Sequence, residues 1–361
     1  MLAPISWPVP PEGYGPWEQV VYNLTEQLVH RGIEVSLFAA PGSRTSAQLV
    51  ETVPHPFSLW PKSELQRNTR LDPSSGLMEG PPNFRALEQL HIAACMEAAH
   101  SGQFDMVHSH LHIHALVFSR LVPCPVLTTL HGSAWVRAHH PVLEKYKDMP
   151  FASISNAERA FKPDLNYVAT VYNGINTALY CFEQKKENYL LFSGRLSPEK
   201  GAHEAVQIAR KAGMPLKLAG MIENQYLEYY KHKIEPYIDG KNIEYTGLLS
   251  QKQMVPLYQK AKALVCPTLW DEPFGLVGVE AQACGTPVLG RRKGALKELV
   301  QEGKTGFLFD DVEEAAGQVK QLDEIAPELC RKNVEERFSS EKMAQGYLGV
   351  YEKLINKQKH H

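Results

Sequence analysis

The sequence predicts an α/β protein of two Rossmann-like, doubly wound domains facing across a cleft, and three observations carry that expectation. Helical and strand periods alternate from one end of the chain to the other, and alternating β and α elements give parallel sheets covered on both faces. The 361 residues are many for one hydrophobic core, so two domains of roughly 150–200 residues are the natural division. Periodicity lapses over 177–188, where Gln184-Lys185-Lys186-Glu187 interrupts the rhythm. That segment reads as the hinge. It leaves one domain over 1–180, a second over 181–340, and a closing helix over 341–361 free to cross back to the first.

The elements follow in order. Trp17, Val20, Val21, Leu24 and Leu28 fall at i, i+3, i+4, i+7 and i+11, the apolar stripe of a helix. Gly32 ends it, and 33–40 reads as a buried strand. From 53 to 84 proline, serine and charge predominate, the composition of an irregular excursion. Residues 86–100 read as a helix, and 104–108, 125–130 and 151–155 as strands. Past the hinge come a strand at 189–193, a helix at 201–212 and a strand at 216–219. Short strands at 243–245, 263–266 and 287–289 follow, with helices between them. Met343, Tyr347, Val350, Tyr351 and Leu354 space the closing helix. In such folds ligands sit beyond the carboxyl ends of the strands, which between two domains means the cleft.

Composition narrows the chemistry. With 43% hydrophobic and 22% charged residues the chain is an ordinary globular protein. A net charge of −2 leaves no electrostatic footprint for nucleic acid, so an anionic ligand must be met by a few placed cations. The six cysteines include no C-x-x-C pair, which argues against structural zinc or a disulfide framework and suits a reducing cytoplasm. Residues 1–11 lack a basic n-region and are broken by prolines. No apolar run approaches the ~18 residues of a membrane span. A cytoplasmic location is expected; peripheral membrane contact is compatible with it, since an amphipathic helix needs no span. The final Lys359-His360-His361 is given no functional weight.

Two segments carry the chemistry. In Asp271-Glu272-Pro273-Phe274-Gly275-Leu276-Val277-Gly278-Val279-Glu280, two glutamates flank a glycine turn and the start of a helix. A helix beginning near Gly275 would offer its N–H groups to an anion, and carboxylates accept bonds from the paired hydroxyls of sugars and riboses. By itself an E-x7-E spacing is also met by two surface carboxylates. In Ser193-Gly194-Arg195-Leu196-Ser197-Pro198-Glu199-Lys200-Gly201, a strand end projects two cations: Arg195 can grip phosphate bidentately and Lys200 adds a point charge. Two solvated cations in a turn are the plain alternative.

Taken together, these segments resemble the retaining GT-B glycosyltransferases of family 4. The matching residues are G-R-L-S-P-E-K-G (194–201), E-P-F-G-L-V-G-V-E-A (272–281), A-C-G-T-P-V (283–288), G-A-L-K-E (294–298) and G-K-T-G-F-L (303–308). Upstream stand P-P-E-G-Y-G-P-W-E (10–18), D-M-V-H-S-H (105–110), T-L-H-G (129–132) and Y-N-G-I-N (172–176). The resemblance implies transfer of a hexose from a nucleotide diphosphate sugar, UDP- or GDP-linked, with retention and without a metal. It makes 1–180 the acceptor-side domain and 181–340 the nucleotide-sugar-binding one. The acceptor would be a sugar, lipid-linked or small-molecule hydroxyl, as in polysaccharide or glycoconjugate biosynthesis. Arg195 and Lys200 would neutralise the diphosphate, and Glu280 would accept from the ribose. Glu272 and the amides of Phe274, Gly275, Leu276 and Val277 would hold the sugar and its phosphate. His131 would reach the sugar near the reacting carbon, and Gly13 and Gly15 would let backbone approach phosphate or acceptor. No cofactor and no metal ligand is implied.

The chain departs from the family's usual pattern where Tyr14 separates Gly13 from Gly15, and where Arg291-Arg292-Lys293 precedes Gly294-Ala295. Met1-Leu2-Ala3 leaves little of a first strand. His108, His110, His112 and His114 alternate, which in a continuous strand would gather four imidazoles on one face as metal ligands do. The strand is expected to end near His110, giving a cleft lining or a simple polar loop instead. Gly303-Lys304-Thr305 lacks the upstream glycine of a P-loop and reads as a turn. A sugar-nucleotide epimerase on this fold and a non-catalytic nucleotide-sugar-binding subunit are the competing functions.

Overall fold

The computed structural model describes residues 1–13, 15–54, 56, 84–132 and 140–359. The 53–84 excursion therefore lies almost wholly outside the described residues, as do Tyr14 and the last two histidines. The chain divides into two compact units, Met1–Gly174 with Ser340–His361, and Ile175–Ser339.

In the first unit, β1 (Ser36–Ala39) and β2 (Gln48–Glu51) pair in parallel, as do β3 (Val107–Ser109), β4 (Val126–Leu130), β5 (Phe151–Ser153) and β6 (Tyr167–Thr170) in that order. Leu2 bridges the two sets, parallel to Phe38 on one side and Ser109 on the other. The short start thus takes the place of a central strand: Leu2 donates to the His108 carbonyl and Ala3 to the Phe38 carbonyl, both at 2.9 Å. β1 begins three residues later than its apolar run. Gly32 and Ile33 donate to the carbonyls of Val29 and Leu28, so these residues close the helix Pro16–His30 before a strand can start. The closing helix, Ser340–Lys359, belongs to this unit and packs on Pro16–His30 with Met343, Ala344 and Tyr347 buried.

The second unit holds β7 (Leu190–Ser193), β8 (Leu216–Ala219), β9 (Ile243–Gly247), β10 (Ala263–Cys266), β11 (Val288–Arg291) and β12 (Gly306–Phe309). They form one parallel sheet in the order β12-β11-β10-β7-β8-β9. That is the doubly wound arrangement, in which β7 and β10 are neighbours and the strand order reverses between them. Leu190, Phe192, Leu218, Val265 and Leu289 carry the core, covered by Ala205, Val206 and Ile208 of the helix Ala202–Ala212.

The unit boundary falls at Gly174/Ile175, and the segment 177–188, expected as the hinge, is packed within the second unit. Its polar residues are docked: Glu183 and Glu187 donate backbone N–H groups to the carbonyls of Cys284 and Lys260, and Lys186 Nζ donates to the Gln259 and Cys284 carbonyls and Thr286 Oγ1. The lapse in periodicity marks a segment held by hydrogen bonds instead of a buried stripe.

Candidate functional site

In the second unit every candidate group follows a central strand. β7 ends at Ser193 and delivers Arg195; β10 ends at Cys266 and leads to Glu272 and the helix Leu276–Ala283. Arg195 pairs with Glu199 at 3.3 Å and Glu223 at 3.4 Å. Lys200 Nζ lies 2.5 Å from Glu272 Oε2, and the same oxygen accepts the Trp270 indole N–H at 3.0 Å. The ammonium also stands 5.3 Å from the Trp270 ring centre. Both cations are therefore held at the strand ends by carboxylates of their own chain.

Gly275 caps the helix at φ 94° and has no side chain to satisfy its first amides. The side chain of Phe274 is buried edge-on against Phe338, 6.0 Å between centres, so Phe274 can serve a ligand through its backbone alone. Glu280 lies one turn into the helix. Tyr180 and Tyr258 each donate to one of its carboxylate oxygens at 2.9 Å. Burial raises its pKa, and the two tyrosine hydroxyls work against that rise. Gln251 donates to Tyr180, and Ser193 Oγ is 3.1 Å from the Tyr258 hydroxyl, which ties Glu280 to the end of β7. These tyrosines and Trp270 have no signal in the sequence beyond residue type.

The unusual basic run is tied down locally. Arg291 pairs with Glu204, Arg292 with Glu302 and Asp310, and Lys293 donates to the Leu269 carbonyl. Gly294 is there for a steric reason: at φ +51° its N–H reaches Asp271 Oδ1, and a Cβ would stand 2.4 Å from the backbone N and O of Glu272.

In the first unit, β3 ends at Ser109, and His112 opens a separate helical turn, His112–Leu116. The four alternating histidines consequently share no single face. His114 instead pairs with Glu88 at 2.5 Å. His108, His110 and His112 gather around His131, the residue after β4. His110 Nδ1 lies 2.7 Å from His131 Nε2. His108 is held by the Tyr351 hydroxyl and Thr129 Oγ1, each at 2.7 Å. Burial, reinforced by neighbouring imidazoles, holds His108, His110 and His131 well below the usual histidine range and lowers His112 to about 3. Among the described residues no cluster of histidine, cysteine or carboxylate has the arrangement of a metal site.

Gly13 stands in open space, whereas Gly15 is confined by its own chain: a Cβ there would lie 2.8 Å from Pro11 Cβ and 3.2 Å from Glu18 Oε2. Glu18, the last residue of the 10–18 run, is buried, and desolvation lifts its carboxyl to about 7.

Two family models match in sequence order, Glycosyltransferase Family 4 over residues 17–179 and Glycosyl transferases group 1 over 182–337. The chain belongs to the group 1 glycosyltransferases. An uncharacterized glycosyltransferase of Methanocaldococcus jannaschii is 29% identical to this group 1 glycosyltransferase over 278 residues, 70% of this chain and 77% of its own. The chain spans about half the length of several other curated relatives it matches. A glycosyltransferase involved in avilamycin A biosynthesis has a crystal structure similar to it, with TM-score 0.71 and 24% identity, covering 97% of this chain and 93% of that one. An Anabaena protein crystallised with UDP-glucose has TM-score 0.64 and 18% identity, covering 93% and 96%. These likenesses concern the fold, which is GT-B. No described helix of this group 1 glycosyltransferase is long and apolar enough to cross a membrane.

Proposed function

We propose that this chain transfers a hexose from a nucleotide diphosphate sugar to an acceptor hydroxyl, with retention of anomeric configuration and without a metal ion. The observation that supports the reading is that Arg195 and Lys200 follow β7, and Glu272, the Gly275-capped helix and Glu280 follow β10, the neighbouring strands between which the order reverses, with Lys200 paired to Glu272. Arg195, Lys200 and the helix N-terminus supply positive potential for a diphosphate, and charge developing on the leaving phosphate is stabilised by the same groups. Glu280 accepts from the ribose diol, and Glu272 orients the sugar. His131 is assigned, from the family resemblance, to a hydroxyl of that sugar. A UDP or GDP donor is favoured by family membership, the Anabaena neighbour having been crystallised with UDP-glucose.

Retention rests on the family. The acceptor attacks from the side the phosphate leaves, and the departing oxygen takes its proton; double displacement would need a carboxylate beneath the sugar, as in retaining glycosidases. Proton NMR of fresh product formed in EDTA is expected to show the donor's anomer. An inverted product, or turnover restored only by Mg²⁺ or Mn²⁺, refutes the proposal.

The tyrosine pair makes a second expectation. Tyr258→Phe removes one bond that favours the Glu280 carboxylate, so its pKa rises further. Nucleotide affinity should fall as pH drops through that pKa, and in the variant the fall should begin at higher pH. Calorimetric titrations with UDP and GDP across pH check this; superimposable profiles for the two proteins count against a ribose role for Glu280.

A further inference from the structure

We infer that His110 is a positioning residue that fixes the tautomer of His131, keeping its proton on Nε2 and leaving Nδ1 as a bare acceptor for a hydroxyl of the donor sugar. The inference rests on the reading of His131 given above. His110 is fully buried and His131 is 4% exposed, and their facing nitrogens are 2.7 Å apart. In such a pair of neutral rings one nitrogen donates and the other accepts, and the geometry between them alone leaves the direction open.

The far side of His110 decides it. Its Nε2 lies 3.1 Å from the sulfur of Met1. A thioether carries no hydrogen and can only accept, so Nε2 of His110 holds the proton and its Nδ1 is bare. His131 must then donate from Nε2, which leaves its own Nδ1 without a proton. That atom is shielded from solvent and has no hydrogen-bond partner among the described residues. A buried acceptor left unmet costs free energy that an incoming donor relieves. Sugar hydroxyls are such donors. The opposite tautomer would present an N–H to the same space and select an acceptor.

The ring of His110 is held in register from behind. His108 packs against it with centroids 4.2 Å apart, and His108 is itself fixed on both nitrogens by Tyr351 and Thr129. Thr129 Oγ1 is 3.0 Å from the Tyr347 hydroxyl, so two tyrosines of the closing helix brace the support of His110.

The test uses the full chain with ¹⁵N-labelled histidine. Two-bond ¹H–¹⁵N correlation spectra, with His131 assigned by comparison with His131→Gln, are expected to show the Nε2–H tautomer in the free protein. His110→Asn keeps an acceptor at the Nδ1 position and should preserve that spectrum and most of the turnover. His110→Phe removes it and should mix the His131 tautomers and lower kcat by roughly tenfold, the scale of one hydrogen bond. A wild-type Nδ1–H tautomer overturns the inference, as does a His131 spectrum unchanged in His110→Phe. If His110→Phe fails to fold, the wild-type spectrum and His110→Asn still decide it. Wild-type turnover by His131→Gln would instead overturn the sugar contact, a separate failure because the tautomer is read without substrate.

Discussion

Arg195→Ala and Lys200→Ala should each lower kcat/KM by roughly 10- to 150-fold, the equivalent of about 1.5–3 kcal/mol for one charge-assisted hydrogen bond lost. The structure adds a discriminating partner. Lys200 and Glu272 form an ion pair, so two roles are open to Lys200: acting on the diphosphate, or holding Glu272 in place. The two roles separate by substitution. If the ammonium serves phosphate, Lys200→Ala weakens binding of UDP or GDP, while Glu272→Gln frees the lysine and leaves nucleotide affinity unchanged or higher. Glu272→Gln should still lose turnover, because the sugar is no longer oriented. Equal loss of nucleotide affinity in both variants would show that the pair is only structural. Wild-type turnover in Arg195→Ala or Lys200→Ala would remove the donor-site assignment altogether. The ion pairs themselves are partly solvated, and their contribution to stability is small beside this effect.

Gly294→Ala is the expected large loss of stability. A side chain there must adopt a left-handed backbone conformation, and its Cβ would meet the Glu272 backbone at 2.4 Å. Backbone cannot swing aside as a flexible side-chain end can. Left-handed strain and overpacking together amount to about 2–5 kcal/mol. Relief requires moving Glu272, which would also break the 2.8 Å bond from the Ala295 N–H to the Glu272 carbonyl. Gly303→Ala is the control: φ is +71° there, but a Cβ meets nothing within 4 Å, so only the strain applies. Thermal unfolding of the two variants should differ clearly, with Gly294→Ala melting lower and losing turnover. Indistinguishable midpoints would show that the 271–272 backbone yields easily.

The central elements are legible because their signals are local. An apolar stripe at helical spacing from Trp17 to Leu28 and a run such as Ala263–Cys266 report burial directly. The three strands that the sequence does not reveal, β2, β6 and β12, all lie at sheet edges. Each is only four residues long, too short for a period to show, and as edge strands they have a neighbour on one side only. The residues at the central strand ends are legible for the same reason, since a strand–turn–helix segment places Arg195 and Lys200 by chain connectivity alone.

What only the tertiary structure decided is which side chains meet across sequence distance. Nothing near Glu280 announces Tyr180 and Tyr258, and nothing near His108 announces Tyr351, 243 positions away. The alternation of histidines suggests one face of a strand, yet the strand stops at Ser109 and the turn after it sends His114 to Glu88 while His110 meets His131. The lapse of periodicity at 177–188 resembles a hinge because a segment anchored by hydrogen bonds needs no apolar repeat. Residue types and their order along the chain determined the family and the chemistry available to it. Hydrogen-bond direction, the partner of each cation and the reason for Gly294 depend on packing between elements far apart in the chain, which no local pattern encodes.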